Sequence, residues 1–570
     1  MTQGGIPLQG TANMLADRDQ PTVGARSLAV GCVLLAAVGL YQLAWAWLAS
    51  LPMLLGTITN DDVFLYLEFA VNTLRYGFPT FDGINATNGV QPLWAALLVA
   101  LASAIHDKEI LLRTVLTLCA ALNVATGLVL LHGLRRWASP VVAVAAVILW
   151  SAYMLGLQPA MLGMENSLHA LVAAATAVLI LQLFSSRTAP PARLLLWIGL
   201  LLAANGLTRL DSAVVSIVLA AVVVGRGIYL GGRPAKVALC TVGPGIAAGA
   251  LLFAANFAYF GTPTPVSGTI KQYYASFFFD GFALWERTLL SLGMFFKTLS
   301  GGPERLFGES APEAIDSTLQ IVALLVLIIP AGLRVLRSRA VDRSDRASAF
   351  SRVCVIMLAA SLVHLAVMVV VLVQFSIDPW YYSWLFLTWI LCLAWAIERW
   401  YRSPVMSARA SQILVAALLA VLLVGQVSRT IVLIRGGDLH DIHVERLELT
   451  DWINRHIPAD AVLASWNAGE LAYFTDQTFI NLDGLMNSRQ YADFLYSGGN
   501  VLDYLRDAGV DIVVDFNTKD STMPYMDYIQ DDKFRNLWYW DQVKILHAQT
   551  AAGDRPIYVV DLPGGRDFSP

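Results

Sequence analysis

The stretch "NDDVFLYLEFAVNTLRYGFPTFDGINATNGVQPLW", residues 60–94, decides how this chain is read. It follows a long apolar segment and opens on two adjacent carboxylates, Asp61 and Asp62. Neighbouring carboxylates repel each other and cost solvation energy near lipid, so the pair needs a reason. One reason is local: Asn60 or Asp61 as a helix N-cap, with acids in the first turn, stabilises a helix start. The other is chemical. Carboxylates crowded at a low-dielectric boundary hold protons more readily, which suits a general base. The residues that follow read as an amphipathic helix lying near the membrane interface.

The setting is a membrane. Of 570 residues, 57% are hydrophobic and 14% charged, against about 25% charged in an ordinary soluble domain. The mean hydropathy is +0.60. A net charge of −4, with no basic block, gives no sign of nucleic-acid binding. The five cysteines, Cys32, Cys119, Cys240, Cys354 and Cys392, all lie in apolar stretches without metal-ligand spacing. Residues 1–26 are polar and read as a disordered cytoplasmic tail. The apolar run after them is too long for a cleaved signal peptide.

A spanning helix needs about 20 mostly apolar residues. Segments 28–50, 109–132, 140–157, 166–184, 194–210, 212–230, 236–258, 318–335, 352–375, 381–398 and 410–432 qualify. Segment 92–106 is apolar but short. Loop charge decides its role. If it does not cross, every loop on the N-terminal side is basic: Arg135/Arg136, Arg187/Arg193, Arg226/Arg233/Lys236, the run 334–352, and Arg399/Arg402/Arg409. The opposite connections at 158–165 and 376–380 carry no Lys or Arg. Segment 92–106 is therefore read as interfacial or re-entrant, with the N-terminus cytoplasmic and the C-terminus outside.

The expected architecture is an α-helical polytopic membrane protein of about eleven transmembrane helices plus a C-terminal soluble α/β domain. Residues 27–435 form the membrane domain, with outer loops at 51–108 and 260–317. Residues 436–570 alternate helices ("ERLELTDWINRHI", "NVLDYLRDAG") with β-rich runs ("AVLAS", "DIVVDF", "PIYVVDL") and form a domain on the outer side. There is no internal repeat of the kind that marks inverted transporter halves.

Ionisable residues at membrane depth are functional candidates, and here they collect on the outer side. Asn85, Asn88 and Gln91, next to Trp94, suit sugar hydroxyls and ring faces, although turn residues before a helix would look the same. Glu165 sits in a very short outer turn. Arg209 and Asp211 lie where two apolar spans abut; they form either a local ion pair or an Arg fork for phosphate. Thr264, Ser267, Thr269 and Lys271, with Pro263 and Pro265 fixing an irregular path, make an anion site or an ordinary interfacial Lys. Trp380, Tyr381, Tyr382 and Trp384 fit an aromatic belt, and equally a lipid or sugar groove.

Taken in order, residues 60–94, "GMEN", "TRLD", "FGTPTPVSGTIK" and "VLASWNAGELAYFTDQTFINLDGLMN" resemble membrane glycosyltransferases of the GT-C fold, those of the bacterial polyprenyl-phosphate-sugar-dependent kind above all. The resemblance runs from about residue 28 to about residue 500. It implies inverting transfer of a sugar from a polyprenyl-phosphate carrier to an acceptor hydroxyl of a cell-envelope glycan, glycolipid or protein, at the outer face of a bacterial inner membrane. It also implies a division of roles. Asp61 is the base and Asp62 its second member. Arg209, Lys271 and Ser267 hold the donor phosphate. Asn88, Gln91, Glu165, Asp211, Trp380, Tyr381 and Tyr382 line the sugar and acceptor sites. Some GT-C enzymes bind a divalent metal between acidic motifs. No second outer acidic pair stands at metal-ligand spacing here, so neither a metal nor another cofactor is expected.

The sequence departs from better-known branches of that group. Asp62 stands where protein mannosyltransferases and aminoarabinose transferases carry Glu. "SWNAGE" (465–470) replaces the "WWD" of oligosaccharyltransferases, which argues against protein N-glycosylation. The competing reading is a transporter or flippase of a lipid-linked sugar, with the acids as proton-coupling groups.

Overall fold

The computed structural model describes residues 20–155, 157–278, 281–287, 289, 346–372, 381, 383–401, 441–499, 501–514, 543–550 and 553–560. The expected spans 318–335 and 410–432, most of the loop 260–317, Trp380 and Tyr382 lie outside them.

The first helix, α1 (Gln20–Leu48), starts inside the expected polar tail. Pro21 in its first turn explains the early start, because proline costs nothing where the backbone N–H has no helical partner. A short α2 (Leu51–Thr57) leads to α3 (Asp61–Tyr76), the helix of the acidic pair. Helix α3 stops at Gly77, whose φ of 78° lies in the left-handed region and whose N–H closes on the Thr73 carbonyl. Helix α4 (Pro92–Ala102) has 11 residues and rises about 16 Å, roughly half the hydrocarbon thickness. That agrees with an interfacial rather than a spanning segment.

The membrane part continues with α5 (Lys108–Trp137), α6 (Pro140–Leu155), the single turn α7 (Gln158–Met161) and α8 (Asn166–Ser185). It then runs through α9 (Ala192–Thr208), a 3-10 turn (Leu210–Ser212), α10 (Ala213–Tyr229) and α11 (Pro234–Phe260). Helices α12 (Val266–Phe278), α13 (Arg346–Val370) and α14 (Ser383–Tyr401) complete it. Among the described residues, six helices are long and apolar enough to cross a membrane, and α6, α9 and α14 are shorter apolar helices. Trp150, Phe350 and Trp384 are buried where these helices pack together.

The C-terminal part begins at α15 (Asp441–His456) and runs β1 (Val462–Ser465), α16 (Ala468–Phe474), β2 (Thr478–Asn481), α17 (Arg489–Tyr496), α18 (Val501–Asp507) and β3 (Ile512–Val513). Strands β4 (Val543–Thr550) and β5 (Gly553–Val560) complete a five-stranded sheet of order β2-β1-β3-β5-β4. Strands β1, β2 and β3 are parallel and β3, β5 and β4 antiparallel. The sequence reading placed β1, β3 and β5 and missed β2 and β4.

Alternation along the strands explains where the sheet sits. Leu463, Phe479 and Ile512 point to a core that also holds Leu65, Phe69, Phe81 and Ala95 of the first loop. Ala464, Ile480 and Val513 point to a second core with Val266, Ile270, Tyr273 and Tyr274 of α12. The sheet is therefore wedged between the first loop and α12, and it shares a core with each.

Candidate active site

One residue of α-helix turns by about 100°, so adjacent carboxylates on α3 face different neighbours. Asp61 faces the C-terminal domain. Its Oδ2 accepts the Gly469 N–H at 3.1 Å and its Oδ1 the Glu470 N–H at 2.9 Å, both at the start of α16. Arg446 Nη1 lies 3.4 Å from the same Oδ1 and 3.2 Å from Glu470 Oε2, while His443 Nδ1 stands 2.8 Å from Glu470. Along this face, Phe64 packs on the rings of Tyr473 and Phe474 at 5.5 and 5.4 Å. Lys108 bridges Glu68, at 3.7 Å, and the Thr475 carbonyl, at 3.3 Å. The cap reading holds for position, with Asn60 as N-cap and both acids in the first turn. Asn60 occupies the N-cap position but makes no side-chain cap bond, and Asp61 is already inside the helix.

Asp62 faces the other way. Four residues on, Tyr66 is close enough to feel the charges of Asp62, Glu165 and Arg209 together. The Tyr66 hydroxyl accepts the Gln91 N–H at 3.2 Å, and Gln91 Oε1 accepts the Leu210 N–H at 2.9 Å. Next to Leu210, Arg209 is buried. Its Nη1 lies 2.6 Å from Glu165 Oε1 and its Nη2 3.1 Å from Asp211 Oδ1. His364 Nε2 is 2.9 Å from the other Asp211 oxygen. The guanidinium carbon sits 4.3 Å from the Tyr381 ring centroid. Lys271 Nζ lies 4.9 Å from the same centroid and donates to the Tyr381 hydroxyl. Gln91, Glu165, Arg209, Asp211, Lys271 and Tyr381 thus form one polar chain, with Tyr66 and His364 as members that sequence reasoning missed. Only the fold puts those two beside the motifs.

Several expected roles change with this geometry. The resemblance gave proton transfer to Asp61. In the structure its oxygens accept two N–H groups and face a guanidinium, which ties the first loop to the domain. Asn88, expected to meet sugar, uses its carbonyl on the Val266 N–H at 2.8 Å and its amide on the Thr264 carbonyl at 3.3 Å. It fixes the start of α12. Arg209 is held between two carboxylates instead of presenting an open fork. Ser267 lies one turn before Lys271 on α12, which places both on one face. Asn85 donates to Asp82 at 2.7 Å within its own turn.

The domain also delivers a third carboxyl that the sequence reading did not single out. Asp483 follows β2, is buried, and takes the Leu485 N–H on Oδ1 at 2.7 Å. Burial, reinforced by the charges of Asp62 and Asp61, pushes its pKa up to about 8. Its turn closes tightly on the first loop, since a Cβ on Gly89 would stand 1.9 Å from the Leu485 carbonyl oxygen. Among the described residues, no group of three or more His, Cys, Asp or Glu side chains is arranged to hold a metal ion.

Comparison with known proteins places this arrangement in a class. The family described as "Domain of unknown function (DUF8728)" matches residues 435–560. No curated protein matches the chain. Among solved structures, the chain is similar to ArnT from Cupriavidus metallidurans bound to undecaprenyl phosphate, with 12% identity, a TM-score of 0.50, and coverage of 93% of this chain and 98% of that one. The apo state of ArnT superposes with a TM-score of 0.51. So does the archaeal oligosaccharyltransferase AglB from Archaeoglobus fulgidus, in complex with an inhibitory peptide and a dolichol-phosphate, at 12% identity over 96% of this chain and 75% of that one. The chain is a polytopic membrane protein with the GT-C fold of polyprenyl-phosphate-dependent glycosyltransferases, carrying a C-terminal α/β domain.

Proposed function

We propose that this protein is an inverting glycosyltransferase that moves a sugar from a polyprenyl-phosphate carrier to an acceptor hydroxyl at the outer face of the membrane. The observation that carries the reading is the polar chain itself. It runs from Tyr66, one turn after Asp62 on α3, through Gln91 and the Leu210 backbone to two cations on one aromatic ring. A general base and a phosphate-facing cation are the two groups that single-displacement glycosyl transfer needs.

In this reading Asp62 takes the acceptor O–H proton. The acceptor oxygen forms its bond to the anomeric carbon as the carbon–phosphate-oxygen bond breaks on the opposite face, and the electron pair leaves with the polyprenyl phosphate. One displacement inverts the centre without a covalent sugar–enzyme intermediate. Lys271 and Ser267, on one face of α12, meet the negative charge growing on the phosphate. Arg209, held by Glu165 and Asp211, fixes Tyr381 and keeps the site's charge balanced. The basic loops on the other side of the bundle orient this site outward, and the acceptor is a cell-envelope glycan, a glycolipid or a protein. No metal is assigned a step.

The test is transfer of radiolabelled sugar from a polyprenyl-phosphate donor by the purified protein, wild type against Asp62→Asn. The expected result is transfer by wild type and a loss of about 10²–10⁴-fold in the variant. Movement of the labelled lipid across liposomes without a new glycosidic bond would replace this reading with transport.

A further inference from the structure

The hairpin between α9 and α10 carries Arg209, and it is fastened to α8 by a histidine that no step of the reaction uses. His169 lies near the start of α8, four residues after Glu165, and is fully buried. A spacing of four puts both side chains on one helix face. Glu165 grips the Arg209 guanidinium at 2.6 Å, and His169 reaches the turn itself. Its Nε2 stands 2.8 Å from Asn205 Oδ1 and 3.1 Å from Ser212 Oγ. Asn205 closes the hairpin. Its carbonyl accepts the Arg209 N–H at 3.0 Å, and its Nδ2 donates to the Ser212 carbonyl and to Ser216 Oγ, each at 3.0 Å.

The proton positions in this cluster are fixed by its acceptors. Ser216 gives its own hydroxyl proton to the Leu202 carbonyl at 2.8 Å, so its oxygen receives the Asn205 N–H. The Ser212 carbonyl can only accept as well. Both Asn205 amide hydrogens therefore point to Ser212 and Ser216, and Oδ1 is left to face His169. An acceptor there requires the proton on Nε2. His169 Nδ1 is buried and meets no hydrogen-bond partner among the described residues. A proton on it would be a stranded donor, the costlier arrangement. His169 is thus the Nε2–H tautomer. Packing alone does not call for a polar ring at a fully buried position.

Resting on the glycosyl-transfer reading, we propose that His169 is a positioning residue for the polyprenyl-phosphate donor. Its Nε2–H sets Asn205, Asn205 sets the turn from Arg209 to Ser212, and the turn sets where the guanidinium meets Tyr381. The guanidinium carbon lies 4.3 Å from that ring's centroid, and Lys271 donates to the ring's hydroxyl. Lys271 is the cation proposed to meet the donor phosphate, so a loosened turn is felt in donor binding rather than in the displacement.

The experiment measures kcat, donor KM and thermal unfolding for wild type, His169→Gln and His169→Phe. The probes are farnesyl-phosphate-linked pentose and hexose donors with octyl glycoside acceptors. Gln places an amide N–H where Nε2–H stands. Phe keeps a ring beside Trp384 and donates nothing. Donor KM is expected within about twofold of wild type for His169→Gln and about tenfold higher for His169→Phe, with kcat of both within about threefold. Should His169→Phe not fold, Ser216→Ala removes an acceptor of the same amide and is expected to raise donor KM about threefold. Nitrogen-15 spectra of histidine-labelled protein, assigned by the signal that His169→Gln removes, are expected to show the proton on Nε2 and a bare Nδ1. A Phe variant with wild-type donor KM, a Gln variant no better than Phe, a loss confined to kcat, an unchanged donor KM in Ser216→Ala, or a proton on Nδ1 would overturn the assignment while leaving the transfer reading intact. A wild-type protein that transfers none of these sugars would remove the transfer reading, and this assignment with it.

Discussion

The Asp61 carboxylate accepts the backbone N–H of Glu470 at 2.9 Å, across 409 positions of sequence. With the Gly469 N–H and Arg446 it forms a clamp between the first loop and the start of α16. Asp62 lies one residue on and about 100° around the helix. In the proposed reading the two acids of the pair have separable duties, one mechanical and one chemical.

Separability is measurable. Asp61→Asn removes the charge that matches Arg446 and the two N–H groups, and it is expected to destabilise the fold by about 1–3 kcal/mol while a folded fraction keeps turnover. Asp62→Asn is expected to leave thermal unfolding within about 0.5 kcal/mol and to abolish transfer. Unfolding curves read beside turnover per folded molecule check both. Equal losses of turnover for the two variants would undo the division.

The clamp also predicts an intolerance of side chains. A Cβ at Gly469 would stand 2.2 Å from the Asp61 carbonyl oxygen, and one at Gly89 1.9 Å from that of Leu485. Both obstacles are backbone, so neither can swing aside. Gly469→Ala and Gly89→Ala are each expected to cost about 1–3 kcal/mol by overpacking and to expose the domain boundary to protease. Limited proteolysis around residues 435–441 is the readout.

What the sequence made legible follows from how each signal is encoded. Spans and the short α4 were readable because length and loop charge are local. The β1, β3 and β5 runs were readable for the same reason. The split of Asp61 from Asp62 was not, because it depends on a partner 409 positions away. Nor were Tyr66, His364 and Asp483. Each looks ordinary in its own stretch and gains meaning only where helices and the domain converge. The hold of Asn88 on the start of α12 was not legible either, because its partners lie more than 170 positions away.

Asp483 carries a stability prediction of definite sign. Its pKa in the folded protein is raised to about 8, against about 3.9 in an unfolded chain. The folded state therefore holds the proton more tightly. The stability this contributes is complete below about pH 4 and is lost as pH rises towards about 8, by roughly 1.4 kcal/mol per unit at most. Asp483→Asn is expected to flatten that slope. Denaturant unfolding at pH 5, 7 and 9 would show it, and an unchanged slope would disprove it.

The two cations on Tyr381 should respond differently to substitution, because Arg209 is buried between two carboxylates while Lys271 is partly buried and donates to the Tyr381 hydroxyl. Arg209 is nearly inaccessible and bridges Glu165 and Asp211 at 2.6 and 3.1 Å. Replacing it by Ala leaves two buried carboxylates facing each other, a loss of about 3–5 kcal/mol. Arg209→Lys restores charge but not the planar fork that reaches both acids. Both variants are expected to fail in folding before they fail in chemistry, visible as aggregation on size-exclusion chromatography. Lys271 is partly buried on α12, and its ammonium is the group proposed to meet the donor phosphate. Lys271→Met should leave the protein folded and raise donor KM by about 10- to 100-fold, the worth of one charge-assisted hydrogen bond. Lys271→Arg should recover part of that loss, since charge is kept. If Lys271→Met instead unfolds the protein, or leaves donor KM untouched, the phosphate sits elsewhere along the polar chain, and Tyr381 with its two cations is a structural stack alone.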